Sequence, residues 1–105
     1  MVVFLGVVRE TEGGKRIAAI EYEAFLKMAE RQFHLLFQEV ESRWPIESVR
    51  LIHRLGRVEV NEASLWVEVI APHRGEAFAA CEHLINRMKE IVPIWKKAMN
   101  DEKIS

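Results

Sequence analysis

The chain predicts an α+β fold, an antiparallel sheet covered on one face by two main helices, and three observations carry that expectation. Short β-branched stretches alternate with period two near the N-terminus and again between residues 48 and 71. Two longer segments, 25–44 and 74–92, repeat apolar residues every three or four positions. Pro45 and Pro93 close those segments, because a proline cannot continue a helix and biases the residue before it out of one. The resulting order is β-β-α-β-β-(β)-α.

Val2 to Arg9 reads as a buried strand, with Gly6 marking a bulge or a close backbone approach. Glu10 to Lys15 is charged and carries Gly13-Gly14, so a mobile turn is expected. Arg16 to Glu23 sets Ala18, Ile20 and Tyr22 on one face of a second strand, expected antiparallel to the first. Phe25 to Trp44 is an amphipathic helix buried through Phe25, Ala29, Phe33, Leu36, Phe37, Val40 and Trp44. Ser48 to Leu55 alternates again, with Val49, Leu51, His53 and Leu55 on one side. Val58 to Val60 reads as a short edge strand, and Asn61-Glu62-Ala63 as a turn. In Ser64 to Ala71, Leu65, Val67 and Val69 form the core face. The helix from Arg74 to Val92 buries Ala77, Phe78, Cys81, Leu84, Ile85, Met88 and Ile91, and Met99 to Ser105 reads as a fraying end.

A length of 105 residues suits a single domain spanning 1–105. Fifteen basic residues against sixteen acidic ones give a net charge of −1, which offers no global attraction for nucleic acid or anionic lipid. Any anion site must be local. The lone Cys81 excludes an internal disulfide and fits a reducing compartment; it reads as a packed core thiol. The apolar run Val2 to Val8 is too short to span a bilayer and has no basic leader, so a cytoplasmic protein is expected. The histidines show no metal-ligand spacing, and there is no phosphate-cradling glycine loop or serine nucleophile elbow. An RNA-binding domain is disfavoured by the neutral charge and by the lack of an aromatic strand signature.

Cations gather beside apolar surface between Pro72 and Lys97. His73 and Arg74 stand where a strand ends and a helix begins, beside free N–H groups suited to an anion. On residue type alone the plainer readings are a capping or packing histidine for His73 and a solvated helix-start arginine for Arg74. Lys89 and Lys96 flank the Pro93 break among Ile91, Val92, Ile94 and Trp95. Lysines held against such walls would lose hydration and gain proton-transfer or nucleophilic character; ordinary surface lysines are the plainer reading. Arg9 closes the first strand, where a charge usually marks the exit to solvent.

Phe4-Leu5-Gly6-Val7-Val8-Arg9, Glu21-Tyr22-Glu23-Ala24, Arg43-Trp44-Pro45, Ile52-His53-Arg54-Leu55-Gly56, Ala71-Pro72-His73-Arg74 and Lys89 with Pro93-Ile94-Trp95-Lys96-Lys97 together resemble the large, catalytic subunit of molybdopterin synthase. The match runs in order from Val2 to about Lys97. The resemblance implies an α/β hammerhead fold and a sulfurtransferase of molybdenum cofactor biosynthesis. Such enzymes convert cyclic pyranopterin monophosphate to molybdopterin with sulfur from the Gly-Gly thiocarboxylate of a small ubiquitin-like subunit. It further implies a large-subunit homodimer within a heterotetramer, with no metal or other cofactor. By position, Lys89 and Lys96 match the catalytic lysines, Arg9, His73 and Arg74 the phosphate pocket, and Phe4 an aromatic of that pocket. A shortened member that binds the small subunit or the pterin without turnover is the alternative expectation, because the segment that family members carry beyond the Trp-Lys-Lys block is absent from this sequence.

Overall fold

The computed structural model of the chain describes residues 1–100. Its elements are β1 (Val2–Val7), β2 (Thr11–Glu12), β3 (Lys15–Ala24), α1 (Leu26–Arg43), β4 (Ser48–His53), β5 (Gly56–Glu59), β6 (Ala63–Ile70), α2 (Arg74–Ile91) and β7 (Ile94–Asn100). The α+β class agrees with expectation. The strand pairing does not: there are two antiparallel sheets, one ordered β1-β6-β4 and one in which β3 holds β2, β5 and β7.

β1 therefore lies beside β6, from Val2 opposite Val69 to Val7 opposite Ala63, and not beside β3. The reason lies at Val8. Its N–H donates to the carbonyl of Glu62 at 2.9 Å, and its own carbonyl accepts from the N–H of Asn61 at 2.7 Å. Its side chain, 2% exposed, packs with Ile17, Ile20 and Val58. The chain thus leaves the first sheet at Val7 and enters the core of the second one residue later. The expected irregularity at Gly6 is present as a register shift between Gly6 and Val7.

The segment expected to be a mobile loop is a tight hairpin. Glu12 lies opposite Lys15, and Gly13 and Gly14 adopt φ values of 59° and 80°, the left-handed pair that a two-residue turn requires. β7 was not expected at all. Val92 ends α2 in an extended conformation, Pro93 follows, and Ile94 to Asn100 run antiparallel to β3. Met99 and Asn100 therefore belong to a strand, whereas the rest of the expected fraying end lies outside the described residues.

The helices pack on the β1-β6-β4 sheet through Ala29, Leu36 and Val40 of α1, Ala77, Ala80, Cys81, Leu84 and Met88 of α2, and Leu65, Val67 and Val69 of β6. The period-two face of β6 is as expected. Two aromatics depart from the helix pattern: Phe25 and Phe78 are 63% and 60% exposed. Phe25 caps α1 from outside and meets Trp95 edge to face, with ring centroids 5.1 Å apart. Burial pushes the Cys81 thiol above its ordinary pKa, in keeping with a packed thiol.

A polar clasp joins the helices where they emerge from the core. Glu39 Oε2 accepts from His83 Nε2 at 2.6 Å and from Arg87 Nε at 3.2 Å, and the His83 ring lies 5.2 Å from that of Trp44. The hydrogen bonds from His83, then from Arg87, hold the Glu39 carboxyl below its ordinary range.

Two outcomes follow. Leu84→Ala should cost about 3 kcal/mol in denaturant unfolding, because it empties a fully buried position between helix and sheet. A depressed carboxyl adds stability that is fully present above its unfolded pKa and lost as the pH falls through its folded value. Glu39→Gln should therefore be less stable than the parent at neutral pH, and the gap should close below about pH 4 in acid-unfolding curves.

Candidate functional site

A cavity of roughly 650 Å³ opens where the two sheets and the C-terminal end of α2 meet, a size suited to a small-molecule ligand. β1 contributes Phe4 and Gly6 to its wall, α2 contributes Met88 and Lys89, and β7 contributes Trp95 and Lys96. Arg9, just past β1, completes the rim. A Cβ on Gly6 would stand 3.2 Å from Cβ of Leu65 and 3.6 Å from Cε1 of Phe4, so the missing side chain lets β1 lie close against β6.

Backbone register sets the two lysines. Lys89 sits in the last turn of α2, where a cation also complements the helix dipole. After the Pro93 break, β7 pairs with β3 so that Lys96 lies opposite Tyr22, another residue of the cavity wall. Phe4, Arg9, Lys89 and Lys96 thus share one hollow. His73 and Arg74 do not: they occupy the N-cap and first position of α2, sixteen and fifteen residues before Lys89, which puts Arg74 about 22 Å away along the helix. His73 makes no side-chain cap.

The expected desolvation of the lysines is absent from the single chain. Lys89 and Lys96 are both exposed at the rim, and Lys96 Nζ donates to Glu12 Oε1 at 3.2 Å. The β2–β3 hairpin, which carries Glu12, brings a carboxylate to a rim otherwise made of cations.

The floor is polar in a way that sequence reasoning missed. Tyr22 Oη donates to Ser64 Oγ at 3.1 Å, and Ser64 Oγ donates to the carbonyl of Gly6 at 3.3 Å. His53 stacks edge-on against Tyr22 with ring centroids 4.9 Å apart, and its Nδ1 lies 2.7 Å from the carbonyl of Arg54. Burial lowers the His53 pKa, only partly offset by that backbone bond. The available signal was a histidine in the apolar face Val49-Leu51-His53-Leu55, and a serine, 6% exposed, at the start of the most buried strand. Among the described residues no three metal-ligating side chains cluster.

Residues 1–91 match the family model described as MoaE protein. The chain belongs to the MoaE protein family. It is similar to the molybdopterin synthase catalytic subunit of Halalkalibacterium halodurans, 44% identical over 94 residues, covering 90% of this chain and 60% of that protein. The protein of the same name from Staphylococcus epidermidis is 43% identical over 97 residues, covering 92% and 65%. The chain therefore spans less than two thirds of the length of these family members. The crystal structure of molybdopterin synthase from Staphylococcus aureus superposes with a TM-score of 0.89 at 39% identity, covering 96% of this chain and 74% of that one. Molybdopterin cofactor biosynthesis protein E from Burkholderia multivorans does so at 0.81 and 34%, covering 95% and 68%.

Because Glu12 competes with any anion for Lys96, Glu12→Ala should tighten binding of pyrophosphate at the rim. The gain should be about two- to fivefold by calorimetry, the worth of an exposed ion pair, and should shrink as salt is raised.

Proposed function

We propose that the chain acts as the catalytic subunit of a molybdopterin synthase, a sulfurtransferase that converts cyclic pyranopterin monophosphate to molybdopterin. One observation carries this reading beyond family membership: Arg9, Lys89 and Lys96 border a single hollow whose walls include Phe4 and Trp95. Aromatic walls suit a flat heterocycle, and the cations suit its phosphate and an incoming anionic tail.

The sulfur donor in this reading is a small ubiquitin-like subunit ending in a Gly-Gly thiocarboxylate. Each transfer forms a carbon–sulfur bond to the pterin side chain in place of a carbon–oxygen bond, whose oxygen leaves with a proton or with the phosphate. The partner's acyl C–S bond then breaks, and water supplies the oxygen that restores an ordinary carboxylate. Lys89 stabilises the negative charge that develops at the attacked carbonyl and moves protons; Lys96 orients the tail and shares that charge. Arg9 holds phosphate through its planar fork, and Phe4 packs against the ring.

His73 and Arg74 enter the scheme from a second copy of the chain. Their distance from the hollow in one protomer leaves them no role there, whereas a homodimer within a heterotetramer would let one protomer's α2 N-terminus complete its neighbour's phosphate pocket. Val3, Leu5 and Val7, all exposed along β1, supply apolar surface for association. Such covering would also strip water from the rim lysines. We further place residues 1–105 in one domain and the protein in the cytoplasm; no helix of the described residues is long and apolar enough to cross a membrane.

The test is reconstitution with a thiocarboxylated small subunit and the cyclic pterin. Wild-type chain should yield dithiolene product, and Lys89→Ala should lower the rate at least about a hundredfold while its circular dichroism spectrum and melting curve stay unchanged. Partner binding without any transfer by the wild-type chain would instead support a non-catalytic binder.

A further inference from the structure

The hydrogen-bond directions at the floor of the hollow divide it chemically from its rim. The Gly6 carbonyl can only accept, so the Ser64 hydroxyl proton is committed to it at 3.3 Å. Tyr22 must then be the donor in its 3.1 Å contact with Ser64, which commits the phenol proton as well. The Arg54 carbonyl likewise takes the proton on His53 Nδ1 at 2.7 Å. What the protein leaves unused in these wall residues is lone pairs: those of Tyr22 Oη, one on Oγ of the buried Ser64, and Nε2 of a neutral His53, for which no hydrogen bond is made among the described residues. Burial, which lowers the His53 pKa, favours that neutral form.

The rim has the reverse character. Arg9, Lys89 and Lys96 offer donors and positive charge, and the carboxylate of Glu12 that reaches the rim is paired with Lys96 at 3.2 Å. The charged or titratable groups that line the hollows with His53 are Tyr22 on β3, these three cations, and Glu30 of α1 in the smaller neighbouring hollow; Arg54 follows His53 in the chain, and Glu12 reaches the rim through Lys96.

We infer that Tyr22, Ser64 and His53 form an acceptor-only floor that selects the N–H-bearing edge of the heterocycle, with His53 Nε2 as its principal acceptor, while the rim holds the phosphate. This rests on the functional reading above and names the part of the substrate that the floor recognises. A 2-amino-4-oxo pteridine presents adjacent ring N–H and amino donors, which complement such a floor. A ring lacking them would leave these acceptors without water or partner, and that penalty is the source of the discrimination.

The experiment is fluorescence titration of the full chain with a phosphorylated 2-amino-4-oxopteridine and with its N3-methyl, 2-dimethylamino counterpart, which keeps phosphate and ring but removes the donors. Wild type should prefer the unmodified pterin by about tenfold or more. His53→Phe keeps a flat ring but no acceptor, and should reduce the preference to about twofold with inorganic pyrophosphate binding unchanged; His53→Gln, which restores a side-chain acceptor, should recover part of it. Equal affinity of wild type for the two pterins overturns the inference, and that comparison needs no variant to fold. Equal affinities in a chain that still transfers sulfur sink the acceptor floor alone. Failure to bind either pterin, with no sulfur transfer, sinks the functional reading along with it.

Discussion

The antiparallel pairing of β7 with β3 is the constraint on which the site depends. Met88 takes the closing helical bond from Val92, Pro93 forbids another turn, and the Pro93 carbonyl accepts from the N–H of Phe25 at 3.2 Å, tying the break to the start of α1. From there, backbone bonds to β3 carry the chain back across the second sheet, from Ile94 opposite Ala24 to Lys96 opposite Tyr22. Lys89 and Lys96 thus approach one hollow from two directions, one on a helix and one on a strand. A single continued helix would have turned Lys96 away along its own axis.

That arrangement is supported by the division of the apolar residues into two cores. The helices and the β1-β6-β4 sheet share the larger one, and Val8, Ile17, Ile20 and Val58 make the smaller. Val8 is the hinge between them, and the cavity lies along the seam it creates. A seam between two separately packed cores can stay open without a void in either, which is why a ligand-sized hollow coexists with fully buried neighbours such as Val67 and Val58.

Much of this was legible in the sequence where burial writes a period. The faces of β6, the spans of both helices to within a residue or so, and the bulge at Gly6 all follow from alternation, threefold-fourfold spacing or the absence of a side chain. β7 was not legible, because five of its seven residues, Trp95 to Ala98 and Asn100, are exposed; it is a strand through backbone pairing, and pairing leaves no hydrophobic trace. Sheet membership was hidden for the same reason: β1 looks equally able to join β3 or β6, and only the crossing at Val8 decides. Lys89 and Lys96 stood out by their position around the Pro93 break, the family resemblance gave them their roles and added Arg9 and Phe4, and the structure gathers all four. His73 and Arg74 were read as an anion corner from their place at a helix start, and the structure keeps them there, at the far end of α2 from the hollow, where a role needs a second protomer. The Tyr22-Ser64-His53 floor escaped notice because its members lie on three strands far apart in sequence.

The central claim, that strand pairing puts Lys96 over the same hollow as Lys89, is tested most directly by amine-acylation footprinting with mass spectrometry, with and without a saturating pterin phosphate. The account predicts that ligand protects Lys89 and Lys96 together, while Lys97, its neighbour on β7 but absent from the cavity wall, and Lys27 on the outer face of α1 stay as reactive as before. Protection of Lys89 without Lys96, or of Lys97 in its place, would contradict it.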